Sequence, residues 1–397
     1  MTVHGMKLPW LWMMTIGCVA ALWALAASTG AAADAPRPPR PAATNLPGRA
    51  YPQIEPDLRV TFRIAAASAR QVQLDLGGNQ FPMIRDGDGI WSTTTTPLTP
   101  GVHYYSFVLD GAVMTDASGE SFFGMGRMLN GVEVPSAGDD FYDLKDVRHG
   151  EVRSRAYGIK STGEQRKVLV YTPPDYDSNP QARYPVLYLQ HGSGEVRRAW
   201  WRQGRVNFIL DNLLSAAKAK PMIVVMEDGG IAITLAGSAG NPPAAAPSAA
   251  DRLTTARAFE RVMVDELIPM IDSSYRTIPD REHRAIAGTD LGGWQALHIG
   301  LNHLDLFAYV GGFSPTLSAD VVDRGIKDAA SVNGRLKLLF LSSGAVHRDA
   351  NPEIIKCHQT WDRAGVKHLF YESPGTRDGW LTWRRSLHQF APLLFQN

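Results

Sequence analysis

Between residues 55 and 135 several short stretches alternate apolar and polar positions. The stretches 58–64, 72–76 and 103–109 each repeat at period two, and Gly77-Gly78-Asn79, Asp86-Gly87-Asp88-Gly89 and Asp110-Gly111 interrupt them. Short alternating runs separated by turn residues predict a small β-sandwich, and Asp110-Gly111 predicts a two-residue hairpin. Beyond residue 150 the pattern changes. Continuous apolar runs at 168–171, 184–189, 222–226, 285–287 and 336–341 alternate with helical periodicity at 208–219, 256–273 and 293–303. This predicts a mainly parallel sheet covered by helices on both faces, whose chemistry lies at the carboxyl ends of its strands.

The first 33 residues carry one basic residue, Lys7, no acid, a long apolar run and a closing Ala31-Ala32-Ala33. They read as a secretory signal, which implies a periplasmic or extracellular protein with no integral membrane domain after cleavage. The Pro-rich residues 34–54 read as a linker, 55–140 as the sandwich and 150–397 as the α/β domain. The whole chain has 40 basic and 39 acidic residues, and loss of Lys7 evens the balance. That removes the electrostatic case for nucleic acid. Two cysteines, Cys18 and Cys357, exclude a disulfide scaffold or a Cys-rich metal site.

The segments after the apolar runs hold the candidate chemistry. Gly288-Thr289-Asp290-Leu291-Gly292 has the Gly-x-nucleophile-x-Gly spacing of a strand–turn–helix elbow, with Asp290 at its apex. His191-Gly192-Ser193 has the form of a loop that donates a second oxyanion N–H, the first donor being Leu291. Glu195, Glu227, Asp228, His347, Asp349 and Asp378 also follow strands.

These segments resemble the secreted carbohydrate esterases of the feruloyl and acetyl-xylan type. The resemblance extends through Trp91, Pro100–Tyr105, Phe141–Lys145, Tyr171–Pro174, Leu189–Gly192, Gly311–Ser314 and Trp383–Arg385. It implies an α/β-hydrolase fold preceded by an immunoglobulin-like sandwich, a carbohydrate or glycoconjugate ligand, and no cofactor or metal. It also exposes three departures. The family's serine nucleophile is Asp290 here, and its histidine aligns with Asp378. The triad acid's neighbourhood holds Val346-His347, with Asp349 beyond. Ordinary Ser-His-Asp acyl transfer is therefore unavailable from these positions.

Three readings follow. Asp290 and Asp378, close together, could form a glycosidase-like acid–base pair. The chain could be an inactive relative that binds carbohydrate. Asp290 could act as a covalent nucleophile in ester hydrolysis, with His347 activating water. Around these residues, Ser193 and Leu291 would supply backbone donors. Glu195, Trp200, Arg202, Asp228 and Trp380 would contact ligand, the tryptophans by stacking on sugar. The Ala/Pro/Gly-rich stretch 236–250 could cover the pocket, and Cys357 reads as a buried small hydrophobe in a helix over 354–364.

Overall fold

The computed structural model describes residues 38–229, 258–347 and 352–396. The expected signal and the Ala/Pro/Gly-rich stretch lie outside the described residues. So does Asp349.

Two antiparallel sheets open the described chain. One orders the strands Arg40–Pro41, Gln53–Ile54, Val60–Ala65, Ile90–Thr94 and Ile84–Arg85. The other orders Ser121–Gly124, Arg127–Val134, Gly101–Leu109, Val72–Leu76 and Asn79–Pro82, with Ala112–Met114 added beside Gly101–Leu109. The alternation explains the shared core. Val60 and Phe62 from one sheet meet Val72, Leu74, Tyr105, Phe107, Val132 and Val134 from the other, all buried. Asp110 and Gly111 both adopt positive φ, +47° and +90°, and join Leu109 to its partner Ala112 as a tight hairpin.

The linker expected over 34–54 is corrected in its second half. Arg40–Pro41 pairs with Gln53–Ile54, and Ala42 and Ile54 enter the sandwich core. Proline is tolerated there because its strand is the sheet edge, where an N–H is not needed.

The second region is an eight-stranded sheet. Its strands are β1 (Glu151–Gly158), β2 (Gln165–Thr172), β3 (Val186–Gln190), β4 (Ile223–Met226), β5 (Arg284–Thr289), β6 (Tyr309–Phe313), β7 (Leu338–Gly344) and β8 (Leu369–Ser373). The spatial order is β1-β2-β4-β3-β5-β6-β7-β8. The joins β1–β2 and β2–β4 are antiparallel and the rest parallel. Strands β3 to β6 are buried throughout, which is why they read as continuous apolar runs. Helices α1 (Val206–Ser215), α2 (Asp290–Asn302), α3 (Pro352–Arg363) and α4 (Trp380–Phe390) pack on the sheet. Cys357 is buried in α3. Among the described residues no helix is long and apolar enough to cross a membrane.

The described residues from Pro39 onward form one compact unit. Its sandwich and sheet are joined by buried charge. Arg384 of α4 is 1% exposed, pairs with Glu133, and lies 4.3 Å from the Tyr142 ring centroid. Arg205 pairs with the same Glu133 at 2.6 Å.

Candidate active site

The elbow follows directly from the local sequence. Strand β5 ends at Thr289 and α2 begins at Asp290, with no loop between. A Cβ on Gly292 would sit 2.1 Å from the His191 carbonyl oxygen, and one on Gly288 2.3 Å from the Gly292 carbonyl oxygen. Only glycine permits so close a crossing. Asp290, at φ +49°, occupies the left-handed region, which an elbow apex requires and which aspartate tolerates better than most residues. Its carboxylate sits at the N-terminus of α2, where the helix dipole favours negative charge.

Both carboxylate oxygens of Asp290 are engaged. Ser193 N–H donates to Oδ2 at 2.8 Å, and Thr316 Oγ1 donates to Oδ1 at 2.6 Å. The first contact brings the expected oxyanion donor onto the elbow residue itself. The Gly192 backbone lies directly over it: a Cβ there would be 3.2 Å from Asp290 Cβ.

Asp378 lies between β8 and α4. Its Oδ1 accepts from Ser314 Oγ at 2.6 Å and from Gly344 N–H, at the end of β7, at 3.0 Å. Ser314 and Thr316 belong to the loop leaving β6, so one short loop orients both carboxylates. Ser314 is 4% exposed and adopts φ +44°.

Glu195 sits behind the elbow, 4% exposed. Its Oε2 accepts from Gly192 N–H at 3.3 Å and its Oε1 from the Tyr104 hydroxyl at 3.3 Å. Burial pushes its carboxyl up to about 8, and the Asp290 charge adds to the effect. Glu195 is thus a neutral acid at pH 7. Tyr104 is the hub of this layer. Its oxygen accepts from Trp380 Nε1–H at 3.0 Å and Gln203 Nε2–H at 2.9 Å while its proton goes to Glu195. Tyr104 belongs to the sandwich, and a second tie runs from Gly126 N–H to the Gly194 carbonyl at 2.8 Å. The sandwich therefore braces the Gly192–Glu195 loop.

Sugar stacking by Trp200 and Trp380 is corrected by their burial. Trp200 is fully buried, edge-on to Trp380 and Phe313, with its N–H on the Gln190 carbonyl. Trp380 is 3% exposed. Neither presents a ring face to a sugar, because each indole completes the core beneath the loops. Asp228 is clasped by Arg197, through its guanidinium at 2.6 Å and its backbone N–H at 2.7 Å. Arg202 turns toward the sandwich and pairs with Glu120 at 3.0 Å. Glu227 is buried against Tyr157, Gly229 N–H and Arg166, with burial raising its carboxyl. His347 ends the 3-10 turn Ala345–His347 directly after β7. Leu291 follows Asp290 in the first turn of α2, whose N–H groups have no intrahelical acceptor. Among the described residues no group of three or more His, Cys, Asp or Glu could hold a metal ion.

Tyr104, Gln203, Ser314 and Thr316 were not anticipated at the site. Tyr104 alone carried a signal. It is out of phase with Tyr105 and Phe107, the core-facing positions of its strand, so it must face away from the sandwich core.

The sheet order and the strand–elbow–helix junction fit an α/β-hydrolase-like fold, with Asp290 at the start of the helix that follows β5. The family model described as "Putative esterase" matches residues 159–390, and the chain belongs to that family. An endo-1,4-beta-xylanase/feruloyl esterase of Xylanibacter ruminicola is 37% identical over 361 residues, covering 89% of this chain and 47% of the relative. The chain thus spans about half that relative's length. A ferulic acid esterase of Anaeromyces mucronatus superposes with TM-score 0.53 at 21% identity, over 65% of this chain and 96% of the other. The enterobactin esterase of Shigella flexneri superposes with TM-score 0.61 at 17% identity, over 84% and 92%. These two likenesses show the fold.

Proposed function

We propose that the protein recognises a feruloyl-type ester of a carbohydrate on an esterase scaffold and does not turn it over by acyl transfer. The observation that carries this reading is the 2.8 Å bond from Ser193 N–H to Asp290 Oδ2. An acyl-transfer site needs such a donor for the developing oxyanion. Here a carboxylate takes it, and also places negative charge where negative charge must form. Two unit charges about 4 Å apart at an effective dielectric of about 20 repel by roughly 4 kcal/mol. That is about a thousandfold in rate, beyond the loss of the serine itself. The ligand class rests on family membership and on the relatives' named activities. An exported location and an immunoglobulin-like character for the sandwich belong to the same proposal.

The experiment is calorimetric titration with a feruloylated xylo-oligosaccharide, alongside ester turnover. The expected result is binding without turnover. Restoring the family residues in Asp290→Ser/Asp378→His should raise ester hydrolysis above the wild type. Efficient wild-type hydrolysis would refute the proposal.

A second reading is favoured by one observation: the Ser314–Thr316 loop orients both Asp290 and Asp378. Paired carboxylates of this kind serve glycosidic cleavage, with neutral Glu195 a further proton source. Turnover of 4-nitrophenyl glycosides that is lost in both Asp290→Asn and Asp378→Asn would select it. Its variant with Asp290 as covalent nucleophile predicts a mass increase at Asp290.

A further inference from the structure

We infer that the elbow site selects its ligand by charge: it holds an uncharged acyl derivative, ester or amide, and refuses the free carboxylate that hydrolysis of that ester would release. This rests on the reading proposed above and adds the property that Asp290 confers on it. Asp290 and Thr316 are half-buried and Ser193 is exposed, so the carboxylate is open to a ligand. Its two contacts are neutral donors, the Ser193 N–H at 2.8 Å and the Thr316 hydroxyl at 2.6 Å. Neither carries charge, so Asp290 keeps its own. The N-terminus of α2 offsets about half a unit of it. Glu195, behind the elbow, is neutral at pH 7 and supplies no cation.

The exposed side chains that flank the site are apolar. Met125 is 47% exposed, next to Gly126, whose N–H bonds the Gly194 carbonyl at 2.8 Å. Val346 is 52% exposed, two residues beyond Gly344, whose N–H bonds Asp378. Neither can neutralise an anion. An ester or amide carbonyl carries no net charge, and the Leu291 N–H in the first turn of α2 is placed to donate to it. A carboxylate in the same place meets Asp290. At an effective dielectric of about 20, that repulsion is worth about thirtyfold in affinity at about 8 Å and about a thousandfold at about 4 Å. The helix dipole reduces it, and about tenfold or more remains.

The test is calorimetric titration of the full chain at pH 7 with methyl ferulate, ferulamide and ferulate, which differ only at the acyl end. The wild type should bind ester and amide similarly and ferulate about tenfold or more weakly. Asp290→Asn, which keeps an acceptor for the Ser193 N–H, should bring ferulate to within about threefold of the amide. In the wild type alone, lowering the pH from about 7 to about 4 protonates the ligand and should strengthen ferulate binding while leaving the amide unchanged. Wild-type protein that binds ferulate as tightly as the amide would overturn the inference, and would point to Arg377, exposed beside Asp378, as the group that meets the acid. An amide refused together with the acid would also overturn it, because charge would not then be what discriminates. So would a wild type that binds none of the three. Binding of the feruloylated xylo-oligosaccharide would in that case leave the proposed function standing, and failure of that ligand as well would end both.

Discussion

Glu195→Gln tests the buried acid behind the elbow through its effect on stability against pH. The Glu195 carboxyl rises from an ordinary 4.5 to about 8 in the fold, chiefly because it is buried and secondly because Asp290 lies near. Below about pH 4.5 the folded and unfolded chains both carry the proton, and the fold has its full stability. As pH rises further the unfolded chain releases the proton and the folded chain keeps it. Stability then falls by about 1.4 kcal/mol per pH unit until the folded group ionises near 8. Between pH 4.5 and 7 the loss is roughly 3 kcal/mol. Glutamine is neutral throughout and escapes that loss. Its extra N–H beside Tyr104, whose oxygen already accepts from Trp380 and Gln203, adds a cost that does not vary with pH. Urea unfolding of both proteins at pH 4.5, 6 and 7 should show the variant gaining about 3 kcal/mol on the wild type across the range. Other titrating groups are common to both and cancel. A difference that stays constant with pH would show that Glu195 ionises as an exposed glutamate does, and would refute the reasoning.

Tyr104→Phe strands the Trp380 and Gln203 donors and frees Glu195, so it should cost about 1–3 kcal/mol per orphaned group in urea unfolding. Glu133→Gln leaves Arg384, 1% exposed, without its charge partner and should destabilise by about 3–5 kcal/mol, measured in the same way. Gly292→Ala places a methyl 2.1 Å from the His191 carbonyl and should abolish soluble folded protein, read by circular dichroism and gel filtration.

The parts of this molecule that are legible in the sequence are those whose cause is local. Buried parallel strands show as apolar runs, Asp110-Gly111 shows its hairpin, and the glycines around Asp290 show the elbow because backbone crossing there admits nothing larger. The parts that are not legible depend on residues far apart in the chain. Tyr104 meets Glu195 and Trp380 only because the sandwich folds back on α4, and no periodicity encodes that meeting. Trp200 and Trp380 follow strands, as ligand-stacking residues would, yet their size draws them into the core. Residues 40–54 are proline-rich and still form an edge strand pair, because an edge tolerates the missing N–H. Asp290 in the Gly-x-x-x-Gly turn and Asp378 after the last strand could be read from the sequence, but the capture of Ser193 N–H by Asp290 could not. It depends on the β3 loop and the α2 terminus lying within hydrogen-bond reach.

The central claim is that Asp290 occupies the oxyanion donor and so leaves the scaffold without acyl transfer. Steady-state hydrolysis of methyl ferulate by the wild type and by Asp290→Asn tests it most directly. The account predicts background rates for both proteins. Wild-type turnover well above background that disappears in Asp290→Asn would contradict it.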